Sequence, residues 1–101
     1  YVTSVHNGDY IQVRGVDFGQ GARSFAISAA SAAAGGNIEI RVDGRDGTLL
    51  GVCEIGPTGG WDGWETFGAQ VEKVRGVHDL WLVFTGGEGE LFNLDYWMFD
   101  R

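Results

Sequence analysis

The run Asn37-Ile38-Glu39-Ile40-Arg41-Val42, then Asp43-Gly44-Arg45-Asp46-Gly47, then Thr48-Leu49-Leu50-Gly51-Val52-Cys53-Glu54-Ile55, decides the fold class. Ile38, Ile40 and Val42 alternate with Asn37, Glu39 and Arg41. Successive side chains of a strand point to opposite faces, so this pattern gives one apolar and one polar face to an extended segment. The Asp- and Gly-rich stretch that follows suits a tight hairpin turn. Residues 37–55 therefore read as two strands and a turn of an antiparallel sheet covered on one side.

The same alternation recurs on both sides of this stretch. Ile11 and Val13 alternate with Tyr10, Gln12 and Arg14, and Phe25, Ile27 and Ala29 with Ser24, Ala26 and Ser28. Leu80, Leu82 and Phe84 alternate with Asp79, Trp81 and Val83. Phe92, Leu94, Tyr96 and Met98 alternate with Asn93, Asp95, Trp97 and Phe99. Glu65 to Val71 is a weaker run. Turn signals at Asn7-Gly8-Asp9, Gly19-Gln20-Gly21, Gly35-Gly36, Pro57 to Gly60, Arg75-Gly76 and Gly86 to Gly89 separate these runs. About seven short strands with turns at such spacing predict an all-β, mostly antiparallel β-sandwich or barrel. Trp81 to Phe84 and Tyr96 to Phe99 are apolar on both faces and are expected in central strands, with Trp81 and Trp97 in the core. The best helical candidate, Ala29 to Ala34, runs into two glycines and lacks a 3.6-residue pattern.

Composition fits one domain spanning residues 1–101. Of the 101 residues, 44% are hydrophobic and 21% charged, which suits a globular chain rather than a disordered one. The balance of 7 basic against 14 acidic residues gives a net charge of −7. That argues against partners that need a basic face, namely duplex nucleic acid and anionic membrane. No apolar stretch approaches a membrane span, and no signal segment is visible. Cys53 is the single cysteine, so no internal disulfide can form, and its apolar run predicts a buried, inert thiol.

Catalytic chemistry is poorly supplied. His6 and His78 lie far apart, and His78 reads as a turn or strand-edge residue more readily than as a general base. No nucleophile elbow and no His- or Cys-based metal motif is present. Asp62, Glu65, Glu88 and Glu90 could furnish a carboxylate pair for glycoside hydrolysis, although turn carboxylates are usually just solvated. Asp43, Asp46, Asp95 and Asp100 are candidate oxygen ligands for calcium. The Asp43 to Gly47 stretch lacks the spacing of a calcium loop and reads first as a hairpin turn.

Binding chemistry is better supplied. Thr58-Gly59-Gly60-Trp61-Asp62-Gly63-Trp64 places Trp61 in a glycine-rich loop, away from the apolar neighbours of a core tryptophan. An indole presented at a loop tip suits stacking on the C–H face of a sugar ring; the alternative is an aromatic that caps its own loop. Trp64 leads into the next strand and is expected to pack. Asn93, polar at the start of an apolar strand, suits hydrogen bonding to sugar hydroxyls or, equally, stabilisation of a turn.

Several segments occur in the order seen in family 6 carbohydrate-binding modules, which the chain resembles over nearly its whole length. They are Asn7-Gly8-Asp9-Tyr10-Ile11, Val16-Asp17-Phe18-Gly19, Ile38 to Asp43, Gly47-Thr48-Leu49-Leu50-Gly51, Thr58-Gly59-Gly60-Trp61, Gly76-Val77-His78-Asp79-Leu80 and Phe92-Asn93-Leu94-Asp95-Tyr96-Trp97. The wording is most similar to modules attached to family 43 arabinofuranosidases and xylosidases. The resemblance implies a secreted, non-catalytic jelly-roll sandwich. Such a module targets a glycoside hydrolase, carried in cis, to β-linked plant polysaccharide, xylan or arabinoxylan first.

In the family site, one wall is the tryptophan that corresponds to Trp61, and an asparagine corresponding to Asn93 bonds the sugar. The tyrosine of the opposite wall falls on Ser4, with Tyr1 or His6 as substitutes. The family's first strand, with a Glu-x-Glu pattern that helps hold a structural calcium, has no counterpart here. Its partner ligand would match Asp95 or, less well, Asp100. The expectation that follows is an unpaired edge beside the last strand. A shortened sandwich could tolerate that edge, or a homo-oligomer could repair it by strand pairing. A truncated or degenerate module without sugar binding, acting structurally or by self-association, is the alternative function.

Overall fold

A computed structural model describes residues 5–100. Seven strands follow one another: β1 (Tyr10–Asp17), β2 (Ala22–Ala30), β3 (Gly36–Val42), β4 (Thr48–Ile55), β5 (Glu65–Val74), β6 (Val77–Thr85) and β7 (Asn93–Asp100). No helix forms among the described residues; Ala29 and Ala30 continue β2, and the residues after them form a loop. The strands make two antiparallel sheets, β1-β6-β3-β4 and β5-β2-β7, that face each other as a sandwich.

The alternation that predicted the strands is the alternation that fills the core. Ile38, Ile40 and Val42 of β3 are at most 3% exposed, and Leu80, Leu82 and Phe84 of β6 at most 1%. They meet Phe25, Ile27 and Ala29 of β2 and Leu94 of β7 across the sheet interface. Fully burying side chains of this size stabilises by about 1.5–3 kcal/mol each, so the interface holds the two sheets face to face.

Two expectations about individual strands fail. β6 is central, between β1 and β3, as predicted. β7 instead lies at the margin of its sheet, pairing only with β2 among the described residues. Trp81 is not in the core. Its neighbours Leu80 and Leu82 take the inward positions, so it stands on the outer face of the four-stranded sheet. There it stacks on Tyr10 with ring centroids 5.1 Å apart, and the Arg45 guanidinium lies over the other ring at 4.9 Å from the Tyr10 centroid. A strand apolar on both faces does not say which face is the core, and here aromatic and cationic neighbours shelter the outward one. Trp97 behaves as expected and packs against the core, half-buried.

The antiparallel registers sort the loops into two ends. One end gathers the loops before β1, between β2 and β3, between β4 and β5, and between β6 and β7. The close approach there depends on Gly35, whose φ is +82° and whose Cβ, if present, would overlap the Ile55 carbonyl. The other end carries the β1–β2, β3–β4 and β5–β6 turns. Asp43 sits there with a φ of 69° and makes the predicted β3–β4 turn, which Gly47 closes by donating to the Gly44 carbonyl at 3.0 Å.

Candidate carbohydrate site at one loop end

Trp61 stands at the tip of a turn closed by the Gly63 N–H on the Gly60 carbonyl, 3.3 Å. It is 38% exposed, which for an indole leaves a large apolar face open to solvent. Glycines on both sides let the backbone turn this tightly. Thr58 anchors the start of the turn: its N–H donates to the Ser31 carbonyl at 2.8 Å, and its Oγ1 accepts from the Ser31 N–H at 2.9 Å.

Asn93 is brought to the same place from the far end of the sequence. It opens β7, pairs with Ala30 and is 7% exposed. Its Nδ2 donates to the Trp61 carbonyl at 2.8 Å. One amide N–H therefore holds the loop that carries the indole. A side-chain amide has a second N–H and a carbonyl oxygen, which gives Asn93 capacity for a further hydrogen bond at this site. Both roles read for Asn93, turn stabilisation and sugar contact, are compatible with this position, and the first is the one the geometry displays.

Trp64 was expected to pack, but it is 37% exposed, as open as Trp61. It is the residue of this end that sequence reasoning undervalued. Its position just before β5 resembles a strand start, yet β5 begins only at Glu65 and its first two residues are exposed.

His6 lies at this end as well. Its backbone N–H donates to Asp9 Oδ2 at 2.9 Å, its ring Nδ1 is 3.9 Å from the same oxygen, and its side chain is half exposed. The segment is tied to the β6–β7 loop by Leu91 N–H on the Val5 carbonyl (2.7 Å) and Gly86 N–H on Asn7 Oδ1 (3.1 Å). Tyr1 and Ser4, the other residues expected at this wall, lie outside the described residues.

The remaining candidates sit apart. Asp62, Glu65, Glu88 and Glu90 are all exposed, as solvated turn carboxylates are. Asp95 is exposed on β7, and among the described residues no three His, Cys, Asp or Glu side chains group so as to hold a metal ion. Asp43 is engaged elsewhere: both its oxygens lie 3.0–3.1 Å from His78 Nδ1, while His78 Nε2 meets the Arg75 carbonyl at 2.7 Å. Those bonds hold the His78 imidazole above its ordinary pKa, the Asp43 hydrogen bond contributing most. Cys53 is buried, and desolvation pushes its thiol up to about 11, an inert group as expected.

The site thus offers an open indole on a pinned loop, a nearly buried amide beside it, and a second exposed indole. Comparison with known proteins gives a consistent picture. A family described as carbohydrate binding module (family 6) matches residues 1–101. A family 6 module of Clostridium cellulolyticum, solved in complex with xylose, is 46% identical with a TM-score of 0.94, covering 96% of this chain and 75% of the other. A β-1,3-glucan-binding family 6 module of Bacillus halodurans is 36% identical with a TM-score of 0.92, covering 96% and 73%. The arabinoxylan arabinofuranohydrolase of Bacillus subtilis is 48% identical in a match that covers 100% of this chain and 20% of that enzyme. The chain spans about a fifth or less of the length of the curated relatives it matches.

Proposed function

The chain belongs to the family 6 carbohydrate-binding modules, and from that premise we propose that it seats a xylan-type polysaccharide, xylan or arabinoxylan, on the open face of Trp61. As a member of that family it is a non-catalytic, carbohydrate-binding β-sandwich. The observation that carries the proposal is the exposed Trp61 indole on a turn held by Asn93. A sugar ring laid on the indole removes apolar area from water, and the polarised C–H groups meet the negative face of the ring. Asn93 and His6 then read the hydroxyls.

Xylan comes first among substrates because of the relatives. The Clostridium cellulolyticum module was solved with xylose, and an arabinoxylan arabinofuranohydrolase carries a segment 48% identical to this chain. By the same token we read this chain as the accessory part of a secreted glycoside hydrolase. Binding raises the local concentration of the attached enzyme at its substrate. β7 adds a further element to the proposal: it lies at the margin of its sheet, where a second copy can add a strand. Sedimentation velocity over a range of concentrations reads that association directly; a single monomeric species at all concentrations rules it out.

Affinity electrophoresis on xylan, arabinoxylan, laminarin, cellulose and agarose tests the substrate class. Retardation by xylan and arabinoxylan above the others is expected. Retention by laminarin alone moves the assignment to β-1,3-glucan, and retention by none favours a module that has lost sugar binding.

A further inference from the structure

Ser31, just after β2, touches no sugar in the reading above, yet it is the most enclosed polar side chain among the described residues, at 0% exposed. Its hydroxyl donates to the Leu91 carbonyl at 2.6 Å and accepts from the Ala33 N–H at 3.2 Å. Its backbone N–H and carbonyl both engage Thr58, as described above. Thr58 Oγ1 also lies 3.1 Å from the Gly60 carbonyl and 3.3 Å from the Ser31 carbonyl, and its single proton serves one of them at a time. Gly63 folds back against the same threonine, since a Cβ there would lie 3.0 Å from the Thr58 carbonyl.

These bonds form one continuous path. It starts at Val5, whose carbonyl accepts from Leu91, crosses to Ser31 through the Leu91 carbonyl, and passes to Thr58. From there it enters the turn that carries Trp61, whose carbonyl is held in turn by Asn93. Ser31 therefore links the two segments: its backbone N–H and carbonyl hold Thr58 and the Trp61 turn, and its hydroxyl holds the Leu91 carbonyl, whose own N–H is on Val5.

We propose that Ser31 and Thr58 are positioning residues that fix the Trp61 turn, and its separation from the Val5–His6 segment, before sugar arrives. The inference rests on Trp61 being the sugar platform. Its physical content is preorganisation. A glycine-rich turn left free would have to be ordered on binding, and that entropy would be subtracted from the affinity. Hydrogen bonds shielded from water are costly to leave half made, so the network has one preferred arrangement.

Thr58 is the residue to change, because it is half-buried whereas Ser31 is enclosed by the fold. Thr58→Val keeps the shape and removes Oγ1; Thr58→Ser keeps Oγ1. Thr58→Ala serves in place of valine if the second methyl group is not accommodated. The whole chain is labelled with 5-fluorotryptophan, and the Trp61 line is identified by its loss in Trp61→Phe. In Thr58→Val the Trp61 fluorine line is expected to shift or broaden, and the Kd for xylohexaose to rise about tenfold. Thr58→Ser is expected to match the native chain in both readouts. A folded Thr58→Val with unchanged line and affinity overturns the proposal, as does a Thr58→Ser that is equally impaired. If the native chain binds no xylohexaose while Thr58→Val alone still moves the Trp61 line, the sugar reading fails and the positioning role stands.

Discussion

Replacing Trp61 with alanine should remove most of the module's affinity and little of its stability. The indole is 38% exposed. For an aromatic side chain of about 250 Å², that fraction leaves about 90 Å² for a sugar to cover. At about 25 cal/mol per Å² the area is worth about 2 kcal/mol, or about 30-fold in Kd. Trp61 is not among the residues of the inter-sheet core, so its loss costs folding about 1 kcal/mol, small beside the 5–15 kcal/mol of a typical domain. Titration calorimetry with xylohexaose gives the affinity, and near-ultraviolet dichroism with a thermal melt reports the fold. Trp61→Phe should fall between the two, because a phenyl ring offers a smaller platform. An affinity within threefold of native in a folded Trp61→Ala, or a variant that does not fold, refutes this reasoning.

Other consequences follow from the opposite end and the core. His78 is held above its ordinary pKa of 6.5 by Asp43 and the Arg75 carbonyl. A raised folded pKa stabilises fully below the unfolded value and is lost as pH rises through the folded one. The gap in Tm between native protein and His78→Gln should thus be widest near pH 5.5 and shrink by pH 8.5; a gap independent of pH counts against the pair. Cys53, buried and pushed up to about 11, should resist iodoacetamide at pH 8 until denaturant unfolds the chain. Rapid labelling of the native protein would show that the strand opens. Gly35→Ala forces a Cβ onto the Ile55 carbonyl at a φ of +82°, so it should lower stability by more than about 1 kcal/mol in a denaturant melt; an unchanged midpoint would contradict the close approach.

The strands were legible because their cause is local. Ile38, Ile40 and Val42 announce a buried face through a period of two, and nothing distant alters that period. Facing and order were less legible. Trp81 shares its strand with inward-pointing Leu80 and Leu82, and only its ring contact with Tyr10 on the neighbouring strand and the position of Arg45 show that it is sheltered on the outside. β7 reads as central by composition, but strand order depends on pairing partners that composition does not contain.

At the site, Trp61 was legible because glycines around an indole are informative by themselves. The partner of Asn93 was not, since the bond to Trp61 spans 32 residues and is created by where β7 starts. Ser31 carried no signal, and Thr58 read only as part of the glycine-rich loop, until the β2–β3 and β4–β5 loops are brought together. The same holds for Asp43 and His78, 35 residues apart and joined by the antiparallel pairing of β3 with β6.

The central claim is that sugar is seated at the loop end on Trp61. Titration of the 15N-labelled chain with xylohexaose, followed by amide and indole resonances, tests it most directly. The account predicts that the Trp61 indole N–H and the signals of residues 58–63 and Asn93 shift saturably, while Tyr10 and Trp81 on the outer sheet face stay still. Shifts centred on Tyr10 and Trp81, or none around Trp61 at saturating sugar, would contradict it.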